Sequence, residues 1–368
     1  CEVRFPGHKN ESHTPALAKS QSALLLGASA APLVITLPEL SASELASTRS
    51  LPVQGMRLKP LAIGVGRDVP GTLRSIALSS LKWQGAPDGS RAAQIVVVSP
   101  GAAALRVALQ MKPTDPDMVV RLTGNDPHAQ VMGPVPANEI AEATATMGEW
   151  WSPVLEGSRA TIEIAVSPGV DVGKATLTLS RVSHLTRAGA SLAPNAKATG
   201  IGSSGVCELN WKCETPSAAL NQAAAAQARI VFTDISGSTF LCSGTMLNDS
   251  IASNTPYFFT ADHCINSAFA AQTLNVYWFY DAADCTDPSI PGPYQLQRGG
   301  SKLLGRSSAE DWVLVRLNQP PPAGTTFSAW NADPVTAGSV FDLHHPKGDL
   351  TKFSQGTLSG YTHVQIDD

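Results

Sequence analysis

The residues able to do chemistry crowd into one stretch of the second half of this chain. Cys242-Ser243-Gly244-Thr245 follows Phe240-Leu241, and Thr260-Ala261-Asp262-His263-Cys264 closes the next apolar run, from Tyr257. Cys242 and Cys264 stand 22 positions apart, with the polar tip 249–254 between them, so a hairpin could bring them together, and a bridge there would fix the backbone that carries His263. Asp311 comes 48 positions after His263 and opens the apolar run Trp312-Val313-Leu314-Val315, which puts its carboxylate at the rim of a strand. A histidine at the end of one strand and a carboxylate at the rim of another are residue types that general acid–base work uses.

The cysteines narrow the setting. Of six, only Cys1 lies in the first part; Cys207, Cys213, Cys242, Cys264 and Cys285 share 79 residues. Zinc sites favour closely spaced Cys-x-x-Cys or His-x-x-x-His pairs, and none occurs. The pattern points to disulfides and an oxidising compartment. Five is odd, so one needs a partner at Cys1 or in further sequence. His344-His345-Pro346 is the other source of metal ligands, and with His263 it raises a zinc hydrolase as a third reading. Neighbours on a strand point to opposite faces, so this pair does not readily chelate one ion and is read as structural.

The elements that must position these residues are strands. The chain has 368 residues, 15 % charged and 43 % apolar, with 30 Gly and 27 Pro, which excludes disorder and long coiled coils and favours short strands with many turns. A net charge of −4 offers no basic field for nucleic acid. Thr161–Val166 alternates, with Ile162, Ile164 and Val166 on one face; Ala175, Leu177 and Leu179 repeat the period. Ile95–Val98 and Val119–Leu122 add strands, and a helix is expected over Ala137–Met147, after Pro136. Trp150-Trp151 reads as core packing rather than a sugar platform, and His184, after the last strand, as a surface residue.

Residues 1–50 read as a leader passing into a first strand, 51–186 as a β-sandwich-like domain, 187–206 as an Ala/Gly/Ser-rich linker, and 207–368 as a second domain. The linker holds Gly202-Ser203-Ser204-Gly205 and suits either a spacer or a processing site. The uncharged stretch Ser20–Pro38 is short of the ~20 apolar residues of a membrane span, and Pro32, Pro38 and Val34-Ile35 suit an extended strand. A first residue that is Cys rather than Met marks a processed chain or a fragment; a lipidated Cys1 is the alternative.

Residues 201–368 resemble the trypsin/chymotrypsin-like serine peptidases, and more closely the secreted bacterial lysyl-endopeptidase branch. The resemblance rests on Cys242-Ser243-Gly244-Thr245, Thr260-Ala261-Asp262-His263-Cys264, Val276-Tyr277-Trp278, Asp311-Trp312-Val313-Leu314, His344-His345-Pro346 and the Cys207-to-Cys213 spacing. It implies bridges Cys242–Cys264 and Cys213–Cys285, with Cys207 paired to a cysteine beyond the chain end. It also implies a catalytic pair: His263 as general base and acid, Asp311 fixing its tautomer. Asp262 stands where many relatives have Ala, a departure read as harmless.

The fold class expected is therefore all-β: a β-sandwich-like pro-region, then a trypsin-like double β-barrel whose second barrel is incomplete. No Gly-x-Ser-Gly loop follows Asp311, where only Ser328, Ser339, Ser354 and Ser359 remain, so the chain is expected to stop inside the second barrel and to be inactive as it stands. The expected function is that of a secreted serine endopeptidase precursor, acting on protein or peptide substrates after Lys or Arg, with its own pro-region as intramolecular partner. It needs no cofactor or metal. The competing reading is a non-catalytic secreted β-sandwich binding module fused to a degenerate peptidase-like domain.

Overall fold

The computed structural model describes residues 31–47, 60–85, 89–127, 129–187, 202–285, 294–331, 333 and 337–361. Cys1, and with it the lipidation reading, lies outside these residues, as does most of the linker.

The N-terminal half is built from two sheets. One runs in the order Leu33–Thr36, Arg91–Val98, Arg159–Val166, Val119–Gly124, Met132–Pro136. Leu33–Thr36 joins it as a parallel strand, while the others pair antiparallel. The second contains Ala104–Lys112, Thr176–Leu185 and Leu61–Asp68, antiparallel neighbours in that order. Alternation decides which side chains meet: Ile95, Val97, Ile162 and Ile164 of the first sheet share one core with Val107, Leu109, Leu177 and Leu179 of the second. The helix Ala137–Met147 starts after Pro136, as its sequence predicts, and ends at Gly148, whose φ of 90° suits a residue without a Cβ.

His184 corrects an expectation. It is 1 % exposed, not superficial. The strand continues through it to Leu185 and is covered on both faces: Val182 packs in the sandwich core and Leu185 in a second cluster, while Ser183 and His184 between them are buried too. The His184 Nδ1 lies 2.8 Å from Ser99 Oγ. Burial, with the charge of Arg67, lowers its pKa to about 4. Trp151 is buried, and its indole N–H donates to Glu149.

In the C-terminal half, antiparallel pairing runs from Asn275–Trp278 through Gln227–Thr233, Thr239–Leu247, Tyr257–Thr260 and Trp312–Leu317 to Ser301–Ser307. This curled sheet wraps Ile230, Phe232, Met246, Phe258, Val276, Trp278, Val313 and Val315 into a second core. It forms a half-barrel, in keeping with an all-β trypsin-like fold. A three-stranded sheet, Leu209–Asn210, Lys352–Leu358 and Gly338–His344, stands beside it and leaves Val340 and Phe341 half exposed. The two halves are continuous: Leu61–Asp68 pairs with Thr176–Leu185 on one side and with Thr239–Leu247 on the other.

Candidate active site

His263 sits in the turn that leaves the strand Tyr257–Thr260, a turn closed by Cys264 and Ile265 amides donating to the Ala261 carbonyl at 3.1 and 3.2 Å. Asp311 immediately precedes Trp312–Leu317, the antiparallel neighbour that sets Val313 opposite Thr260. Pairing two strands thus delivers a histidine from one end and a carboxylate from the adjoining end. The His263 amide donates to Asp311 Oδ1 at 2.8 Å, and its Nδ1 lies 2.7 Å from Oδ2. Asp311 adopts φ 51°, a left-handed conformation that Asp tolerates better than most residues. A carboxylate at this distance favours the tautomer that carries its proton on Nδ1, which leaves Nε2 as the nitrogen able to accept one.

The hairpin beside this pair is stapled. Cys242 and Cys264 are bridged, with Cα atoms 6.3 Å apart, and their sulfurs and a His263 ring nitrogen lie within 4.8 Å of one another. Bridged sulfurs are not thiolates, so this cluster offers a zinc ion no cysteine ligands. Cys213–Cys285 is bridged as well, while Cys207 is exposed and meets no other cysteine among the described residues. The motif glycine Gly244 has a physical reason: a Cβ there would fall 2.3 Å from Phe258 Cε1 and 2.8 Å from the Phe259 carbonyl oxygen.

Ser243 ties the hairpin to the later motif. Its carbonyl accepts from Thr260 Oγ1 at 2.7 Å, and its hydroxyl accepts the His345 amide at 2.8 Å. His345 is buried and its Nδ1 lies 3.1 Å from the Asp349 carbonyl; burial and the nearby Arg229 charge push its pKa down to about 3. His344 instead faces Asp342 at 2.7 Å, and that carboxylate holds its pKa above the usual imidazole value. The two neighbouring imidazoles serve different contacts and do not converge on one point.

One contributor was invisible from the sequence. Arg306, on Ser301–Ser307, grips the buried Asp262 carboxylate with both Nε and Nη2, the latter at 2.8 Å. Asp262 is therefore a strut for the turn that carries His263. Nothing in its local pattern names Arg306, which lies two strands away.

A trypsin-like β-fold with an imidazole and carboxylate joined at a stapled hairpin defines a peptidase-type architecture. Comparison with known proteins gives the family. The model of the lysyl endopeptidase C-terminal domain matches residues 201–367, and that of the lysyl endopeptidase N-terminal domain matches residues 36–186. A lysyl endopeptidase of Pseudomonas aeruginosa is 32 % identical over 325 residues, covering 84 % of this chain and 67 % of that protein. The chain belongs to the lysyl endopeptidase family.

Proposed function

We propose that this chain carries the His–Asp part of a secreted serine endopeptidase precursor that hydrolyses lysyl peptide bonds. The observation that carries the reading is the two-point grip of Asp311 on His263. In the complete enzyme a serine from a Gly-x-Ser-Gly loop would give its proton to His263 Nε2 while its oxygen attacks the peptide carbonyl; the imidazolium formed is balanced by Asp311 and later protonates the leaving amine. Lysyl specificity is transferred from the name of the Pseudomonas relative, and two disulfides suit an oxidising extracellular setting. Residues 51–186 are then a pro-region that restrains the enzyme until export, with cleavage in the 187–206 linker.

The test is His263→Ala in the complete protein. Peptide hydrolysis should disappear while the precursor is still secreted. Retained turnover refutes the assignment of His263.

A further inference from the structure

Between the two halves lies a cavity of about 790 Å³, within the range that small ligands occupy. Neither His263 nor Asp311 lines it, so its chemistry is separate from the acid–base pair. One wall is the helix Ala137–Met147. Ala137 and Ile140 turn into the sandwich core, which leaves Glu139, Glu142, Ala143 and Thr146, three or four positions apart, on the cavity side. Both glutamates are exposed, and among the described residues no lysine or arginine nitrogen lies within 4.0 Å of either carboxylate.

The C-terminal half contributes Arg298. It follows the strand Gln295–Gln297 and precedes Gly299 and Gly300, whose φ values of 98° and 67° turn the chain back at once. Hydrogen bonds pin the segment on either side of it. Trp278 Nε1 donates to Gln297 Oε1 at 2.8 Å, Gln297 Nε2 to the Gln319 carbonyl at 2.7 Å, and Asn318 Nδ2 to the Gly299 carbonyl at 2.8 Å. A Cβ at Gly300 would fall 2.0 Å from the Gln272 carbonyl oxygen, so the turn closes against the end of the helix Ala268–Gln272.

This braced turn presents a cation without a counterion. Arg298 is half-buried, and among the described residues no carboxylate lies within 4.0 Å of its guanidinium. Burial lowers its pKa, and Glu139 is the charge that opposes this from beyond ion-pair range. An unmatched cation on one wall and two unmatched carboxylates on the other form a recognition pattern for a ligand charged oppositely at its two ends. Trp150, Leu274 and Leu296 also line the cavity and offer apolar surface to a stem between those ends. A peptide that ends in lysine has all three parts: a terminal carboxylate, a four-carbon stem and an ammonium.

We propose that this cavity binds the C-terminal lysine of a cleaved peptide, Arg298 taking the carboxylate through its guanidinium fork and Glu139 with Glu142 taking the ammonium. Its walls come from both halves, so the precursor recognises what the processed enzyme releases. The choice of lysine rests on the lysyl reading above; the charge pattern of the two walls does not.

The experiment titrates the full chain by calorimetry at low salt with N-acetylated Ala-Ala-Lys, beside the same peptide as its C-terminal amide and N-acetylated Ala-Ala-Leu. The lysine acid should bind, and the amide and the leucine peptide, each lacking one charge, should bind at least about tenfold more weakly. Arg298→Gln should erase the preference for acid over amide, and Glu139→Gln with Glu142→Gln the preference for lysine over leucine. His263→Ala should change neither preference. No binding of the lysine acid overturns the proposal; so do variants that keep both preferences, since the peptide then sits elsewhere. The glutamates are exposed, so their paired substitution decides even where Arg298→Gln fails to fold. Cleavage specificity is read separately, on the complete enzyme. Cleavage after another residue sinks the lysyl reading and leaves a measured site standing, whereas strict lysyl cleavage without binding here sinks the site alone.

Discussion

Asp311 holds His263 at two points at once, taking its backbone amide with one oxygen at 2.8 Å and facing its Nδ1 with the other at 2.7 Å. The first contact fixes the turn and the second fixes the ring, so neither the backbone nor the tautomer is left to chance. The carboxylate reaches both because Asp311 accepts a left-handed φ of 51° just before its strand begins.

Asp311→Asn separates these jobs. Asn tolerates the same backbone conformation and fills the same space, so unfolding midpoints should move little. Its amide can meet Nδ1 as a donor, which drives the ring proton to Nε2, the wrong nitrogen for accepting one. By analogy with the Ser-His-Asp template, kcat in the complete, processed enzyme should fall by about 10⁴. Steady-state kinetics and the imidazole ¹⁵N shifts of His263 check this; unchanged turnover removes Asp311 from the mechanism.

Arg306 should matter more than a half-exposed arginine usually does. Asp262 is almost wholly buried, and Arg306→Ala leaves its carboxylate without its cation. Because the arginine side chain is 40 % exposed, solvent screening limits the loss to about 1–2 kcal/mol. Arg306→Lys should recover only part of it, since an ammonium cannot span both oxygens as the guanidinium fork does. Adding Asp262→Ala to Arg306→Ala should restore stability relative to Arg306→Ala alone. Urea midpoints of the cycle decide; an additive cycle would show that the pair does not couple.

The site was legible where its parts lie on adjoining strands of one hairpin or open an apolar run. Cys242, Cys264, His263 and Asp311 each sit at a strand or its end, so patterning and spacing placed them on their elements, while the resemblance to the peptidases named which of them meet. The helix Ala137–Met147 was legible from Pro136 and its own residues. Legibility stopped where tertiary pairing decides. Leu61–Asp68 is a strand, yet nothing in its sequence names Thr239–Leu247 as its neighbour. Arg106 is an arginine inside an apolar strand, and only the opposing carbonyl and hydroxyl oxygens explain it. His184 was misplaced because the strand runs on to Leu185 and is covered on both faces there, which its own sequence does not announce.

Two buried histidines set the acid side of the stability profile. His184 and His345 have folded pKa values lowered to about 4 and about 3, chiefly by burial, against an unfolded value near 6.5. Their contribution is therefore fully present above pH 6.5 and is lost as pH falls from there toward the folded values, because the unfolded chain binds protons first. His344 has the opposite sign: its pKa is raised, so its contribution is full below 6.5 and fades as pH rises through the folded value. Between about pH 6 and 5 the net slope should be one to two protons, at about 1.4 kcal/mol per proton per pH unit. His184→Gln should reduce the slope by up to one proton. Urea unfolding at pH 7.5, 6 and 5 measures it, and equal stability at all three contradicts the buried neutral imidazoles.

The Cys242–Cys264 bridge should affect position more than its share of stability suggests. It closes a sequence separation of 22 residues, and chain-entropy arguments give about 3 kcal/mol for a loop of that size. Replacing both cysteines by serine should lower stability by roughly that amount, a loss the barrel core around Phe258 and Trp278 can absorb at moderate temperature. The turn carrying His263 would still be held by Asp311 and by the Asp262–Arg306 fork, but no longer by a covalent tie to Ser243's strand. Hydrogen exchange should therefore accelerate at residues 261–265 more than at Val313–Val315, and kcat should fall while KM changes less. Equal acceleration across both segments would mean that the bridge serves global stability alone.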